Sequence, residues 1–345
     1  MCKNRGGVLM QLSFEQMKAA TCGAIYFTEE PDGIIFHRFT PEQFAMYQKR
    51  DEALFQKSKT SAGVRLCFKT DSRSLHLQTT VTNARSRSYF AFEVFADDTF
   101  VGSLNNYGDR EVVDDYAAIF PCGTFEKSFD LGEGVKTVTV HLPWNKITKI
   151  HQLALDDGAI FEPVKRSKKL LAFGDSITYG FDALLPSRRY ISRLSDAIGA
   201  EEFNKGIGGE RFCPALAALR DDFTPDYIVV GYGTNDWAIS PKETFYSDCN
   251  DFFAQLNRNY PNVPVFAITP IWRANFNRNS VFDSFFEIEA GIREATAPYS
   301  NVTVINGYDL IPHDADYYVA DGVHPKMQGF DHYFANLWKK LQPIL

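Results

Sequence analysis

The hydrophobic pattern of the chain changes period near residue 162, and that change confines it to folds with two kinds of layer. Ahead of the change, apolar and polar residues alternate. Leu75, Leu77, Thr79 and Val81 are interleaved with His76, Gln78 and Thr80, and Phe90, Phe92 and Val94 with Ala91 and Glu93. Val138, Val140 and Leu142 alternate with Thr139 and His141 in the same way. A repeat of two puts one set of side chains on each face of a strand, the pattern of half-buried antiparallel sheet. Turn formers separate the runs, at Pro31-Asp32-Gly33, Asp97-Asp98, Asn105-Asn106 and Gly132-Glu133-Gly134. Residues 1–162 therefore read as an all-β, jelly-roll-like sandwich. A short tail or helix up to Ala20 leads into it, and a helix-like stretch at 40–57 interrupts it.

Beyond a basic linker (Lys165, Arg166, Lys168, Lys169) the texture is different. Apolar runs at 170–173, near 201, at 226–231, 263–268 and 302–305 read as buried strands. Helical patterns fall between them, at 188–198, 241–260, 281–297 and 326–341. Such alternation builds a parallel sheet with helices on both faces and right-handed crossovers, which makes residues 163–345 an α/β domain. The 345-residue length suits two domains, and a hydrophobic content of 45% supplies two cores.

Charge and cysteine usage exclude several function classes. A formal net charge of −7 leaves no electrostatic footprint for nucleic acid or an anionic membrane. No apolar run is long enough to span a bilayer. The six cysteines (Cys2, Cys22, Cys67, Cys122, Cys213, Cys249) are scattered without a C-x-x-C pair, which argues against a zinc site or a disulfide framework. Residues 1–12 hold no apolar core of a signal peptide, so a cytoplasmic chain with reduced thiols is the expectation.

Four stretches at strand ends carry residues fit for chemistry. In Gly174-Asp175-Ser176 a serine lies on the turn after a buried strand, at the carboxyl edge where open α/β sheets bind ligands. A helix starting there would turn its N–H groups toward a developing anion. Asp175 or Ser176 would equally serve as a plain helix cap. Asn204-Lys205-Gly206-Ile207-Gly208-Gly209 lets backbone come close to a ligand and offer an N–H, or is an ordinary glycine turn. Gly233-Thr234-Asn235-Asp236 offers a side-chain amide at the end of the next strand. In Asp321-Gly322-Val323-His324-Pro325, Pro325 suits the first position of the closing helix. Asp321 can then reach His324 Nδ1 round one turn and leave Nε2 free as a base.

Taken together and in this order, the four stretches resemble the blocks of the SGNH, or GDSL-like, serine hydrolases. The resemblance implies a flavodoxin-like α/β/α domain and acyl-ester hydrolysis without a cofactor. It assigns Ser176 as nucleophile, His324 as base and Asp321 as its orienting acid. Gly209, Asn235 and the Ser176 amide become oxyanion donors, with Gly208 as the other candidate amide. No metal is implied. A sandwich ahead of the hydrolase also resembles the two-domain carbohydrate acetylesterases, which points to an esterase that removes acetyl groups from O-acylated sugars. Its partners would be small-molecule or oligosaccharide esters. Trp237 and Trp272 follow two of the strand ends and are candidate substrate-binding rings. The rival readings are a longer-chain lipase or thioesterase, a non-catalytic sugar-binding protein, and a metal-dependent hydrolase using His313, Asp314, Asp316, Asp321 and His324.

Overall fold

The alternating runs of the first half become strands of two packed sheets. The computed structural model describes residues 9–108, 118–276 and 281–345. Its first half contains β1 (Leu9–Gln11), α1 (Phe14–Ala20), β2 (Thr21–Cys22), β3 (Tyr26–Glu30), β4 (Gly33–His37), α2 (Pro41–Arg50) and α3 (Glu52–Ser58). There follow β5 (Arg65–Thr70), β6 (Ser74–Asn83), β7 (Ala91–Ala96), β8 (Thr99–Asn105), β9 (Gly123–Asp130), β10 (Lys136–His141), β11 (Lys146–Asp156) and β12 (Glu162–Pro163). One sheet runs β3-β4-β11-β6-β9 with β1 also on β11, and the other runs β12-β5-β10-β7-β8 with β2 also on β5. Every pairing in both is antiparallel. The chain crosses repeatedly between the two sheets, as in a jelly roll. Leu75, Leu77 and Val81 on β6 meet Leu66, Phe68, Val138 and Val140 from the other sheet in one buried cluster.

The helical interruption has local causes. Thr40 accepts the Gln43 N–H while the Gln43 side chain accepts the Thr40 N–H, and Pro41 fills the first turn of α2. Phe39 and Tyr47 bury themselves in a cluster with the second half of the chain rather than in the sandwich.

The second half comprises β13 (Lys168–Gly174), α4 (Ser176–Tyr179), α5 (Tyr190–Ala197), β14 (Ala200–Asn204), α6 (Pro214–Ala218) and β15 (Tyr227–Gly231). It continues with α7 (Thr234–Ile239), α8 (Lys242–Asn259), β16 (Val265–Ile268), α9 (Phe286–Thr296), β17 (Val302–Ile305) and α10 (Met327–Leu341). The strand order is β14-β13-β15-β16-β17, all parallel, which is the flavodoxin-like order. Leu171 and Phe173 face a core shared with α8 and α9, and Leu170 and Ala172 face one shared with α5 and α10. Two covered faces explain why the strand reads as an unbroken apolar run. The helix expected over 281–297 begins only at Phe286, because the Glu287 carboxylate accepts the N–H groups of Asp283 and Ser284 and holds a turn there. No helix among the described residues is long and apolar enough to cross a membrane.

β14 is an edge strand, and the first half of the chain together with the linker after it covers that edge. Arg65 donates to the Ala200 carbonyl at 3.4 Å, Arg166 to the same oxygen at 3.0 Å, and Arg38 to the Asn204 carbonyl at 2.7 Å. The approach is close enough to need glycine: a Cβ on Gly23 would stand 2.5 Å from Gly63 O and 2.6 Å from Glu202 O. Behind the seam, Arg189 and Glu202 form a two-fold ion pair at 2.6 and 3.0 Å with side chains 1% and 2% exposed. Glu202→Ala would leave that guanidinium buried without its counter-charge, and should lower folding stability by about 3–5 kcal/mol. Urea unfolding checks this; a loss under about 1 kcal/mol would mean that the pair is relaxed by solvent.

Candidate active site

Ser176 opens α4, a single helical turn made by its neighbours. Asp175 caps the turn by accepting the Ile177 N–H at 2.9 Å, and Gly180 ends it in the left-handed region at φ 105°. His324 Nε2 lies 2.8 Å from Ser176 Oγ, and His324 Nδ1 lies 2.6 Å from Asp321 Oδ2. The other oxygen of Asp321 accepts the N–H groups of Val323 at 2.8 Å and His324 at 3.0 Å, so the acid also builds the turn that presents the histidine. Burial alone would raise the Asp321 carboxyl, but the His324 ring and these two amides outweigh it and hold it at about 2. An ionised Asp321 accepts from Nδ1–H, which leaves Nε2 to accept the serine proton. Pro325 is not in the first turn of α10. It forms a bridge with Tyr318 that closes the loop, and Lys326 caps the helix.

The donor groups lie on two neighbouring loops. Ile207 N–H donates to Gly174 O at 3.1 Å, which ties the glycine loop to the strand end before Ser176. Gly209 is exposed and held at φ 90°. Among the described residues, nothing accepts the N–H of Ser176, Gly208 or Gly209. Asn235, in the first turn of α7, donates one N–H of its amide to Glu210 O at 2.9 Å and keeps the second.

Two expected residues lie elsewhere. Trp237 is 4% exposed, within the core cluster, with the Arg273 guanidinium 4.9 Å above its ring and Phe276 and Phe285 edge-on against it. The α7 helix, which the sequence did not suggest, turns this ring inward, so it is a packing residue and not a sugar platform. Trp272 is half-buried, but His313 stacks on one face at 5.5 Å and Phe276 and Tyr318 flank it, so that face is taken. His313 pairs with Asp309 and Asp314 caps a turn by accepting the Asp316 N–H, so the acidic and histidine residues near 313–316 do not converge on His324.

Residues from the sandwich half complete the surroundings, and no local sequence signal marks them. Asp182 carries a strained left-handed backbone at φ 67°. Its carboxylate takes Arg87 Nε at 2.8 Å, Arg87 Nη2 at 2.9 Å and the Tyr89 hydroxyl at 2.8 Å. The same guanidinium is 4.0 Å from Asp321 and 4.5 Å above Phe181, whose ring leans on His324 at 4.6 Å. Asp182, Asp321 and His324 offer ligand atoms within 4.8 Å of one another, but the arginine occupies both oxygens of Asp182 and lies against Asp321. A cation already holds the place between the carboxylates, and a metal ion does not suit this set.

Next to Ser176, burial pushes the Asp175 carboxyl up to about 7, against the Ile177 amide, His324 and Arg273. The folded chain therefore holds this proton more tightly than the unfolded chain, and the group costs stability as pH rises from about 4 to about 7. Asp175→Asn keeps an oxygen for the cap and removes that cost. Its stability should gain on the parent's between pH values of about 4 and 8; parallel stability curves would show that Asp175 is ionised at no expense.

Residues 172–332 match the sequence profile of the GDSL-like lipase/acylhydrolase family. No curated protein matches the chain. Among solved structures, a salicylyl-acyltransferase from a tetracycline biosynthetic pathway superposes with TM-score 0.80 at 16% identity, covering 99% of this chain and 98% of that one. A family two carbohydrate esterase from Clostridium thermocellum superposes with TM-score 0.65 at 12% identity over 94% and 98% of the two chains. An acetyl xylan esterase from the rumen bacterium Butyrivibrio proteoclasticus gives 0.63 at 15% identity over 97% and 98%. Identities this low carry the fold, and it is the fold of the whole chain, sandwich included. The profile match lies within the α/β half and takes in both Ser176 and His324.

Proposed function

We propose that the chain is a serine esterase that removes short acyl groups, acetyl first, from O-acylated carbohydrates. The observation that carries the esterase part is the unbroken line from Asp321 through His324 to Ser176, at 2.6 and 2.8 Å. Ser176 Oγ attacks the acyl carbon while its proton passes to His324 Nε2. The carbonyl oxygen becomes an oxyanion facing the amides of Ser176 and Gly209 and the spare N–H of Asn235. Collapse expels the sugar oxygen, which takes the proton from Nε2, and water repeats the cycle on the acyl-enzyme. Asp321 stabilises the imidazolium in both halves without taking the proton.

The substrate part rests on likeness. The architecture is shared with a family two carbohydrate esterase and an acetyl xylan esterase along nearly the whole chain. The likeness to an acyltransferase supports a second reading, in which the same acyl-enzyme passes its group to an alcohol instead of water.

Ser176→Ala should stay folded and lose at least about 10³-fold in kcat/KM, and a fluorophosphonate should label Ser176 alone. Asn235→Ala should lower kcat by about 10²–10³-fold with KM nearly unchanged. Across p-nitrophenyl esters, the acetylesterase reading expects kcat/KM to fall from acetate to butyrate and be small for octanoate, one methylene being worth roughly 1–3 kcal/mol of discrimination. An octanoate ester that outruns the acetate would replace the acetylesterase reading with a long-chain one.

A further inference from the structure

The proposed chemistry needs one backbone N–H aimed at the oxyanion, and the side chain that aims it comes from the other half of the molecule. Lys57, near the end of α3, sends its Nζ across the seam to donate to the Gly208 carbonyl at 2.6 Å. That is a short, charge-assisted hydrogen bond. The Gly208 carbonyl and the Gly209 N–H belong to one planar trans peptide, so they point in opposite directions. Fixing the carbonyl toward the lysine fixes the N–H away from it. The constraint matters because both residues are glycine, and a glycine pair resists rotation of its shared peptide only weakly. The peptides on either side are tied already, because the Glu210 N–H of one donates to the Ile207 O of the other at 3.1 Å. Among the described residues, the peptide between them is tied by Lys57 alone.

The lysine is itself held in register with the loop. The buried Arg38 guanidinium donates to Lys57 O at 3.1 Å and to Gly206 O at 2.8 Å, so one rigid group sets the spacing of both partners. A Cβ on Gly208 or on Gly209 would lie 3.7 Å from Lys57 Nζ, so the ammonium sits against the peptide that joins them. Burial lowers the pKa of Lys57 against the pull of Asp51 and Glu210, so the contact is partly shielded from water, where a charged hydrogen bond is stronger.

We propose that Lys57 is a positioning residue for the oxyanion site, holding and polarising the Gly208–Gly209 peptide so that the Gly209 N–H, rather than that of Gly208, meets the tetrahedral intermediate. This rests on the reading of Ser176 as the nucleophile. Lys57 touches no reacting atom, and its effect belongs to the tetrahedral state and not to substrate binding.

Lys57→Met, Lys57→Gln and Lys57→Arg in the full chain test it, each assayed with p-nitrophenyl acetate and with a phenylboronic acid, whose adduct on Ser176 carries an anionic oxygen like that of the intermediate. Lys57→Met should lower kcat by about 10–100-fold with KM within about twofold, a part of the loss expected for removing a donor outright. Boronate affinity should fall by the same factor. Lys57→Gln, which keeps a donor and loses the charge, should fall between Met and the parent, and Lys57→Arg should stay closest to the parent. If Lys57→Met does not fold, the Gln and Arg variants carry the same paired comparison. Unchanged kcat in a folded Met or Gln variant overturns the proposal, as does a loss of kcat with boronate affinity intact. In either case an inactive Ser176→Ala leaves the esterase reading standing, and an active Ser176→Ala sinks that reading first.

Discussion

One buried guanidinium, with no carboxylate paired to it among the described residues, ties backbone from both halves of this molecule. Arg38 is 1% exposed, and its five N–H groups are all taken by oxygens of the backbone or of a threonine: Thr60 O and Oγ1, Lys57 O, Asn204 O and Gly206 O. Burial brings its pKa down to about 10, opposed by Tyr179, Tyr47 and Glu202, so it remains a cation at neutral pH. The carbonyl dipoles and the rings of Phe39 and Tyr179, at 4.6 and 5.2 Å, offset its lost hydration. No lysine could replace it, because an ammonium has three donors and no planar fork. Without the guanidinium, carbonyls on both sides of the seam would be buried and unpaired, which costs more than the bonds themselves contribute.

The candidate site is therefore composite. The α/β half holds the serine and histidine, and the sandwich half reaches it from two directions. On one side Arg87 and Tyr89 grip Asp182 and place Phe181 under the His324 ring. Arg87 also stands between two carboxylates, those of Asp182 and Asp321, whose mutual repulsion it offsets. On the other side α3 closes over the glycine loop. The left-handed backbone of Asp182 persists because three hydrogen bonds at its carboxylate fix it.

What could be read in the sequence depended on range. Ser176, His324 and Asp321 stand on turns whose geometry is written in adjacent residues, and Asp321 builds the very turn that it orients. The strand periods were legible because one face or two faces of a sheet impose them directly. Trp237 was misread because the short helix α7 follows its strand end with no periodic signal, and six residues of helix decide whether a ring faces solvent or core. Arg87 with Asp182, and Lys57 with Gly208, are separated by 95 and 151 positions, and no pattern in a sequence links residues so far apart. The proposed catalytic elements are local; their supports are not.

The covered edge of β14 bears on how the chain is made. An edge strand shows a row of free N–H and C=O groups, which other strands can pair with. Here three arginines occupy that edge, and all three, Arg38, Arg65 and Arg166, precede it in the chain. During synthesis from the N-terminus the cap is thus complete before the strand it must shield has left the ribosome. A rearranged version with the α/β half first would display β14 with Arg166 alone on its edge while Arg38 and Arg65 were still being translated, open to pairing with a neighbouring chain.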